Sequence, residues 1–381
     1  MGTNLFLCVL QMNTEHVEGQ IYLRDCLSTS SVDLIETIPA VNYKRTPARD
    51  IHFPEDAVNK EKILACYQNC LAVLPEQGLY KIDNAVVRDK GLIEVNGELA
   101  RDNLEGAPES KIREALNDEN RAEKTIEEPV LYLTRYGVKN YGHCLTDIIP
   151  RILWFHEKLP EIKLALHPEM PDQIYEVLRV AGVMSEAIIK LGDEHTLIKT
   201  MYFISLWNEH PLVHTPKAME YLKLIGQRAL EAKGGGEDTD LYPSKIFVGR
   251  KDAATRQIAN YDDVSALLCS EGFTEISCGE LSFSDQVKYF SAARSVIGIA
   301  GASMTNIAFC RPGTPVLALA PHSMPALYFW DIAHHAELEY CVAYFQGIER
   351  SAPVNKDEDI FANFTVDLSV LEKYLKGRSD D

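Results

Sequence analysis

From residue 129 onward, short apolar runs alternate with stretches whose apolar positions recur every three or four residues. The first kind predicts buried strands and the second amphipathic helices. The order is "PVLYLTR" strand, "YGHCLTDIIPRILWFHEKL" helix, "IKLALH" strand, "PDQIYEVLRVAG" helix, then "AIIKLG" and "TMYFISL" strands, followed by a long helix over 217–233. A Gly-rich acidic segment, "GGGEDTDLYPS" (234–244), has the composition of a linker. Beyond it the alternation restarts: "KIFVGR", "FTEIS", "SVIGIA" and "TPVLALA" as strands, "NYDDVSALLCSEG" and "SFSDQVKYFSAA" as helices, and "GASMTNIAFCRPG" as a turn running into a helix. Such alternation implies an α/β protein with parallel sheets covered on both faces. The expectation is two Rossmann-like, doubly wound domains, 1–233 and 245–381, joined by the 234–244 linker, with the last residues free to pack back on the first domain. Ligands of open α/β sheets bind outside the carboxyl ends of the strands, so function is expected in a cleft between the two.

The first 125 residues are less periodic. "QIYLRD" reads as a strand, and "GLYKIDNAVVRDKGLIEVNGELARD" as a hairpin whose Asn96-Gly97 pair signals a two-residue turn. "APESKIREALNDENRAEKTI" (107–126) is helix-prone but polar on most faces, which predicts a solvated helix or a surface loop.

Composition narrows the function classes. The 381 residues carry 38 basic and 56 acidic side chains, a net charge of -18, which repels nucleic-acid backbones and anionic membranes. Nine scattered cysteines, mostly among apolar neighbours, fit buried free thiols in a reducing, cytoplasmic compartment. The start, "MGTNLFLCVLQMNTEH", has no positive n-region and an apolar run far short of the roughly 20 residues a membrane helix needs. The chain therefore reads as soluble, with no transmembrane segment.

Two stretches of the second half gather anion-binding chemistry. In "SVIGIAGASMTNIAFCRPG" a strand runs into Gly301, Ala302 and Ser303, then Met304, Thr305 and Asn306 open a helix whose amino end can hold a phosphate. A tight turn capped by Ser303 or Thr305 would give the same pattern. In "KIFVGRKDAATRQIANYDD", Arg250, Lys251 and Arg256 collect at a strand's carboxyl end, either for a diphosphate or paired with Asp252, Asp262 and Asp263. In the first half, "NYGHCLTDIIPRILWF" (140–155) places His143, Asp147 and Arg151 at i, i+4 and i+8, with Asn140 as helix cap and Leu145, Ile148, Ile149 and Ile152 facing the core. That stripe is either a stabilising ladder or a general base, Asp147, oriented by His143 or Arg151. Pro150 within the helix points to a local distortion. No CxxC, HExxH, Walker A, GxSxG or complete GxGxxG spacing occurs, so a metal site, a kinase, a hydrolase and an ordinary dehydrogenase are disfavoured.

These stretches resemble a known family. "NYGHCLTDIIPRILWF" is similar to the "NxxHWLxDxLPRL" segment of glycosyltransferase family 61, and "QVKYFSAARSVIGIAGASMTNIAFCRPGTPVLAL" to its "QvxlfxxAxxvvGxhGAxLTNxxFxxPGxxviEl" segment. "GRKDAATRQIAN" resembles its "RxxxxxRxixN", with Arg250, Arg256 and Asn260 at the matching positions. The resemblance implies a GT-B architecture and inverting, metal-independent transfer from a nucleotide sugar, often a UDP-sugar, to a glycan hydroxyl in polysaccharide biosynthesis, with no cofactor. It implies Asp147 as general base with His143 beside it, Asn140 and Arg151 orienting, and Arg250, Arg256 and Gly301 to Asn306 around the donor. The sequence departs from the family at Ala300 (histidine there), Cys144 (tryptophan) and Ala318 (glutamate). Those departures motivate an alternative, a non-catalytic module binding a sugar, nucleotide or partner; another nucleotide-sugar enzyme, such as an epimerase, is the third reading. Partners expected are the donor and acceptor, with a homo-oligomer or a membrane-associated assembly left open.

Overall fold

The computed structural model describes residues 20–27, 31–55, 57, 60–88, 91–104, 109–118, 121–134, 137–209, 213–232, 241–251, 253, 255–348 and 361–377. The opening apolar run, Cys8 and most of the expected linker (234–240) lie outside the described residues. The chain divides into two compact units, Met1–Tyr43 with Val73–Leu222, and Lys44–Ala72 with Lys223–Asp381. The division thus falls at 222/223 and returns residues 44–72 to the second unit, where the sequence reading drew 1–233, linker and 245–381.

The first unit is built on a mixed sheet: the parallel part expected beyond residue 129 is continued by antiparallel strands from upstream. Its parallel part runs Ile188–Lys190, Lys163–Leu166, Val130–Tyr132, Thr196–Ile204 in spatial order. Gln77–Val87 then continues the sheet antiparallel to Thr196–Ile204. Two local expectations are corrected. "QIYLRD" forms only a two-residue strand, Gln20–Ile21, before a 3₁₀ turn at Leu23–Cys26, because Leu23 and Cys26 are buried on helical spacing. Residues 107–126 hold a helix, Glu109–Leu116, that buries Ile112 and Ala115 against Leu92, Leu99 and Leu104, and then a strand, Lys124–Ile126, paired parallel with Thr196–Ile198. The Asn96-Gly97 turn is as expected, with φ of 54° and 86°, the left-handed values a two-residue hairpin loop requires.

The second unit carries a fully parallel sheet, in the order Thr274–Ile276, Lys245–Val248, Ser295–Ile299, Pro315–Pro321, Glu339–Phe345, Asp50–His52. Both faces are covered, and Phe247, Ile297, Ile299, Leu317 and Leu319 build a core with Val264, Leu268 and Leu371 from the helices Tyr261–Ser270 and Leu368–Lys376. The edge strand Asp50–His52 comes from far upstream, and three residues with half-exposed side chains carry no period from which to predict it.

Gly298 sits where Met304 folds back over the strand. A Cβ there would press on Met304 Sδ and lie 2.9 Å from Val248 Cβ, a backbone-proximal atom with little room to yield. Gly298→Ala is therefore expected to destabilise the second unit by about 1–3 kcal/mol through overpacking, read as a lower urea midpoint at unchanged slope.

Candidate active site

In each unit the strand order reverses direction at one place, and there the connecting segments diverge and leave a crevice at the carboxyl ends of the strands. In the first unit that place lies between Val130–Tyr132 and Thr196–Ile204; in the second, between Lys245–Val248 and Ser295–Ile299. The polar residues singled out from sequence lie at or beside these two places.

In the first unit, the helix after Val130–Tyr132 starts at Asn140, whose side chain accepts a hydrogen bond from Gly142 N at 2.9 Å. It runs as an α turn (Tyr141–His143), a π-helical segment (Cys144–Ile148) and an α-helix (Ile149–His156). The wide segment lies immediately before Pro150, whose ring would otherwise press on the preceding turn, so the distortion expected of the proline takes the form of a π-bulge. Leu145, Ile148, Ile149 and Ile152 are fully buried, as their spacing predicted.

Asp147 and Arg151 are both fully buried and form an ion pair with each other. The other carboxylate oxygen of Asp147, Oδ1, accepts from Trp207 N at 3.0 Å, and Arg151 Nη1 donates to Ile204 O at 2.5 Å. The pair therefore ties the helix to the end of Thr196–Ile204, at the reversal point. In this arrangement Asp147 presents no surface to an incoming hydroxyl. His143, in the helix's first turn, is only half-buried, with its ring beside Gly137.

In the second unit, Arg250 leaves the end of Lys245–Val248 and lies over Gly301 at the end of Ser295–Ile299. A Cβ on Gly301 would press on Arg250 Nη1 and come within 2.9 Å of its Cζ, so only glycine leaves the arginine this position. Arg250 Nε donates to Thr255 O at 3.3 Å. Arg256 has a left-handed backbone (φ 55°), and its Nη1 rests 2.9 Å from Met324 Sδ. Its buried Nε has no hydrogen-bond partner among the described residues. Burial, reinforced by the neighbouring charge of Arg250, pulls the Arg256 guanidinium down to about 10. A largely desolvated cation of this kind is stabilised by an arriving anion.

Lys251 is different. It pairs with Glu275 at 3.3 Å and lies over the Tyr261 ring, so its charge is satisfied within the fold. Burial pushes the Glu275 carboxyl up, but hydrogen bonds from Ser265 and Tyr261, together with Lys251, outweigh it and hold the group below the usual range.

Gly301 is extended, and Ala302–Phe309 forms a 3₁₀ helix. Ala302 and Ser303 are half-buried at its start, while Met304 is turned inward over Gly298. Asn306 is also internal: its Nδ2 donates to Gln286 Oε1 at 2.7 Å, and Gln286 is held by the carbonyls of Cys278 and Leu281. Thr305 is fully buried, and its hydroxyl has no partner among the described residues. Ala300 and Ala318, where the family carries polar residues, are fully buried.

Two neighbours of Arg256 escaped the sequence reading, Met324 and Phe361, whose carbonyl accepts from Arg256 N at 3.2 Å, and so did His322, two residues before Met324 at the end of Pro315–Pro321. The available signal was a histidine directly after an apolar strand, "TPVLALAPH".

The segment that carries both constellations, residues 141–317, matches the protein-family model described as Glycosyltransferase 61. The match identifies a glycosyltransferase. It covers a little under half of the chain, beginning at the helix of His143 and Asp147 and ending within the strand that follows the Gly301 turn. No curated protein matches this glycosyltransferase. Among solved structures, the crystal structure of the bacterial iron-containing dodecameric glycosyltransferase TibC from enterotoxigenic E. coli H10407 is similar at 13% identity, over 75% of this chain and 72% of its own, with a TM-score of 0.32. That likeness is too slight to bear on the architecture. Among the described residues of the glycosyltransferase, no group of three or more His, Cys, Asp or Glu side chains is arranged to hold a metal ion, and no helix is long and apolar enough to cross a membrane.

Proposed function

We propose that the protein is an inverting, GT-B-type glycosyltransferase that moves a sugar from a nucleotide sugar, a UDP-sugar in the first instance, to a hydroxyl of a glycan or glycoconjugate. The observation that carries this reading is the pair of adjacent guanidiniums at the second unit's reversal point, one of them largely buried with no carboxylate paired to it among the described residues. Such a place suits a diphosphate leaving group.

In the proposed step the acceptor oxygen attacks the anomeric carbon from the face opposite the diphosphate. Its proton passes to a base, the carbon–oxygen bond to phosphate breaks, and the electron pair leaves on the diphosphate. Arg250, Arg256 and the amides around Ser303 take up that charge without requiring a metal. The family resemblance gives the base role to Asp147. Its complete burial between Arg151 and the Trp207 amide favours His143 instead as the group that meets the hydroxyl, with Asp147 and Arg151 holding the helix that carries it. A cytoplasmic enzyme of polysaccharide biosynthesis accords with the absence of a disulfide among the eight described cysteines. The enclosure of Asp147 also favours a second reading, a binding module without transfer activity.

Thermal unfolding against UDP, GDP, ADP and their sugars, with magnesium or with a chelator, tests the proposal. One nucleotide family should stabilise the fold by about 2.7 kcal/mol at a hundredfold excess over Kd, equally with chelator present. Arg250→Ala should weaken that binding roughly 10- to 100-fold, with only part restored by lysine, which lacks the planar fork. A panel that leaves the midpoint unmoved would overturn the donor site. Binding without sugar transfer to any acceptor would favour the module.

A further inference from the structure

We infer that His322 is a ligand contact of the second unit's anion site, and that its Nδ1 hydrogen-bonds a ring hydroxyl of a sugar attached to the bound diphosphate. The inference rests on the donor reading above and adds to it a residue outside the matched segment.

The observations concern one edge of one sheet. Arg250 and Gly301 stand at the carboxyl ends of Lys245–Val248 and Ser295–Ile299, and the next strand in spatial order, Pro315–Pro321, ends at His322. His322 is fixed there by its backbone N–H, which donates to Phe345 O at 2.8 Å, and by the turn closed from Met324 N to Pro321 O at 3.0 Å. That same turn presents Met324 to the Arg256 guanidinium. The buried Nδ1 of His322 has no hydrogen-bond partner among the described residues. Arg256 Nε, on the guanidinium that the Met324 turn meets, is in the same condition, so two unsatisfied polar atoms belong to this turn and its neighbour. Buried polar atoms in folded proteins are nearly always paired, and two exceptions joined by one turn at the carboxyl end of a sheet mark where a ligand supplies the partners.

The chemistry of the missing partner follows from what each group can do. Guanidiniums and backbone amides only donate, which suits phosphate oxygens. A sugar hydroxyl also brings a proton of its own and needs an acceptor. An imidazole nitrogen can accept as well as donate, and His322 supplies one on the strand next to the phosphate position. Ala300, just past the end of Ser295–Ile299, and Ala318, earlier in the strand that ends at His322, offer no polar side chain for the purpose.

Calorimetric binding of UDP, UDP-glucose and pyrophosphate to the full-length protein and to His322→Ala, His322→Asn and His322→Gln tests the inference. His322→Ala should weaken nucleotide binding about five- to tenfold, the size of one hydrogen bond to a neutral group, and leave pyrophosphate binding unchanged. Asparagine, whose amide reaches the Nδ1 position, should restore most of the loss, and glutamine should not. A loss seen with UDP and UDP-glucose alike assigns the hydroxyl to the ribose, and a loss confined to UDP-glucose assigns it to the transferred sugar. Unchanged affinity for both UDP and UDP-glucose, an equal loss for pyrophosphate, or rescue by glutamine as good as by asparagine would overturn the assignment. If the wild-type protein binds none of the probes, the donor reading itself fails and takes this inference with it. If His322→Ala does not fold, the asparagine and glutamine variants still decide the matter between them.

Discussion

Replacing His143 by alanine is expected to lower kcat for sugar transfer by about 10²- to 10⁴-fold, the usual contribution of a general base, with donor affinity and stability nearly unchanged. The side chain lies in the first turn of its helix and is half-buried, and the cap beneath it is made by Asn140 rather than by the imidazole. Little packing is lost when it goes. The measurement is initial rates against acceptor and donor separately, beside an unfolding curve of the same sample. Asp147→Asn is the informative comparison. If Asp147 anchors the helix, the substitution leaves Arg151 buried without its anion and lowers stability along with rate. Should Asp147→Asn be inactive yet as stable as wild type while His143→Ala stays active, the base is Asp147 and the assignment to His143 is wrong.

The largest expected change in stability comes from Arg151→Ala, about 3–5 kcal/mol, because it strands a fully buried carboxylate. Whole domains are stable by only about 5–15 kcal/mol, so the variant should unfold at a much lower urea concentration. The loss is not merely that of an ion pair. Arg151 also holds the carbonyl of Ile204, at the end of the strand from which Trp207 reaches the other oxygen of Asp147. Lysine should recover only a fraction, since one ammonium cannot satisfy carboxylate and carbonyl in the same fork geometry. The double variant Asp147→Leu with Arg151→Met should recover more than lysine does, since removing both charges eliminates the uncompensated burial. Unchanged stability in Arg151→Ala would show that the pair is not the anchor described.

Much of this was visible along the chain. Strand–helix alternation after residue 129 gave the α/β class, the Asn96-Gly97 turn gave a hairpin with both φ values positive, and Asn140 capped the helix it was expected to cap. Arg250 and the Gly301 turn were assigned to separate strand ends, and the structure puts the guanidinium directly over the glycine. The mixed character of the first sheet was not legible, because the period of a strand reports which face is buried, not the direction of its neighbour. Gln77–Val87 carries the apolar content of a central strand whichever way its partner runs.

The candidate site shows the same division. Spacing alone put His143, Asp147 and Arg151 on one stripe, and left open whether the stripe was a ladder or a catalytic group. What separates them is burial, and burial is decided by segments distant in sequence. Ile204 and Trp207 close over Asp147 and Arg151, whereas His143, one turn earlier, keeps part of its surface open to solvent.

By itself, then, the sequence determined the strand and helix order beyond residue 129, the core faces of its helices and the residue types able to meet a diphosphate, because these follow from side-chain period and charge read a few residues at a time. Only the tertiary structure decided that Asp50–His52 completes the second sheet, that Asp147 is sealed by Arg151, and that His322 ends the strand next to the one leading to Gly301. Those outcomes depend on which distant strands pair and which side chains lose their water, free-energy differences that no local pattern encodes.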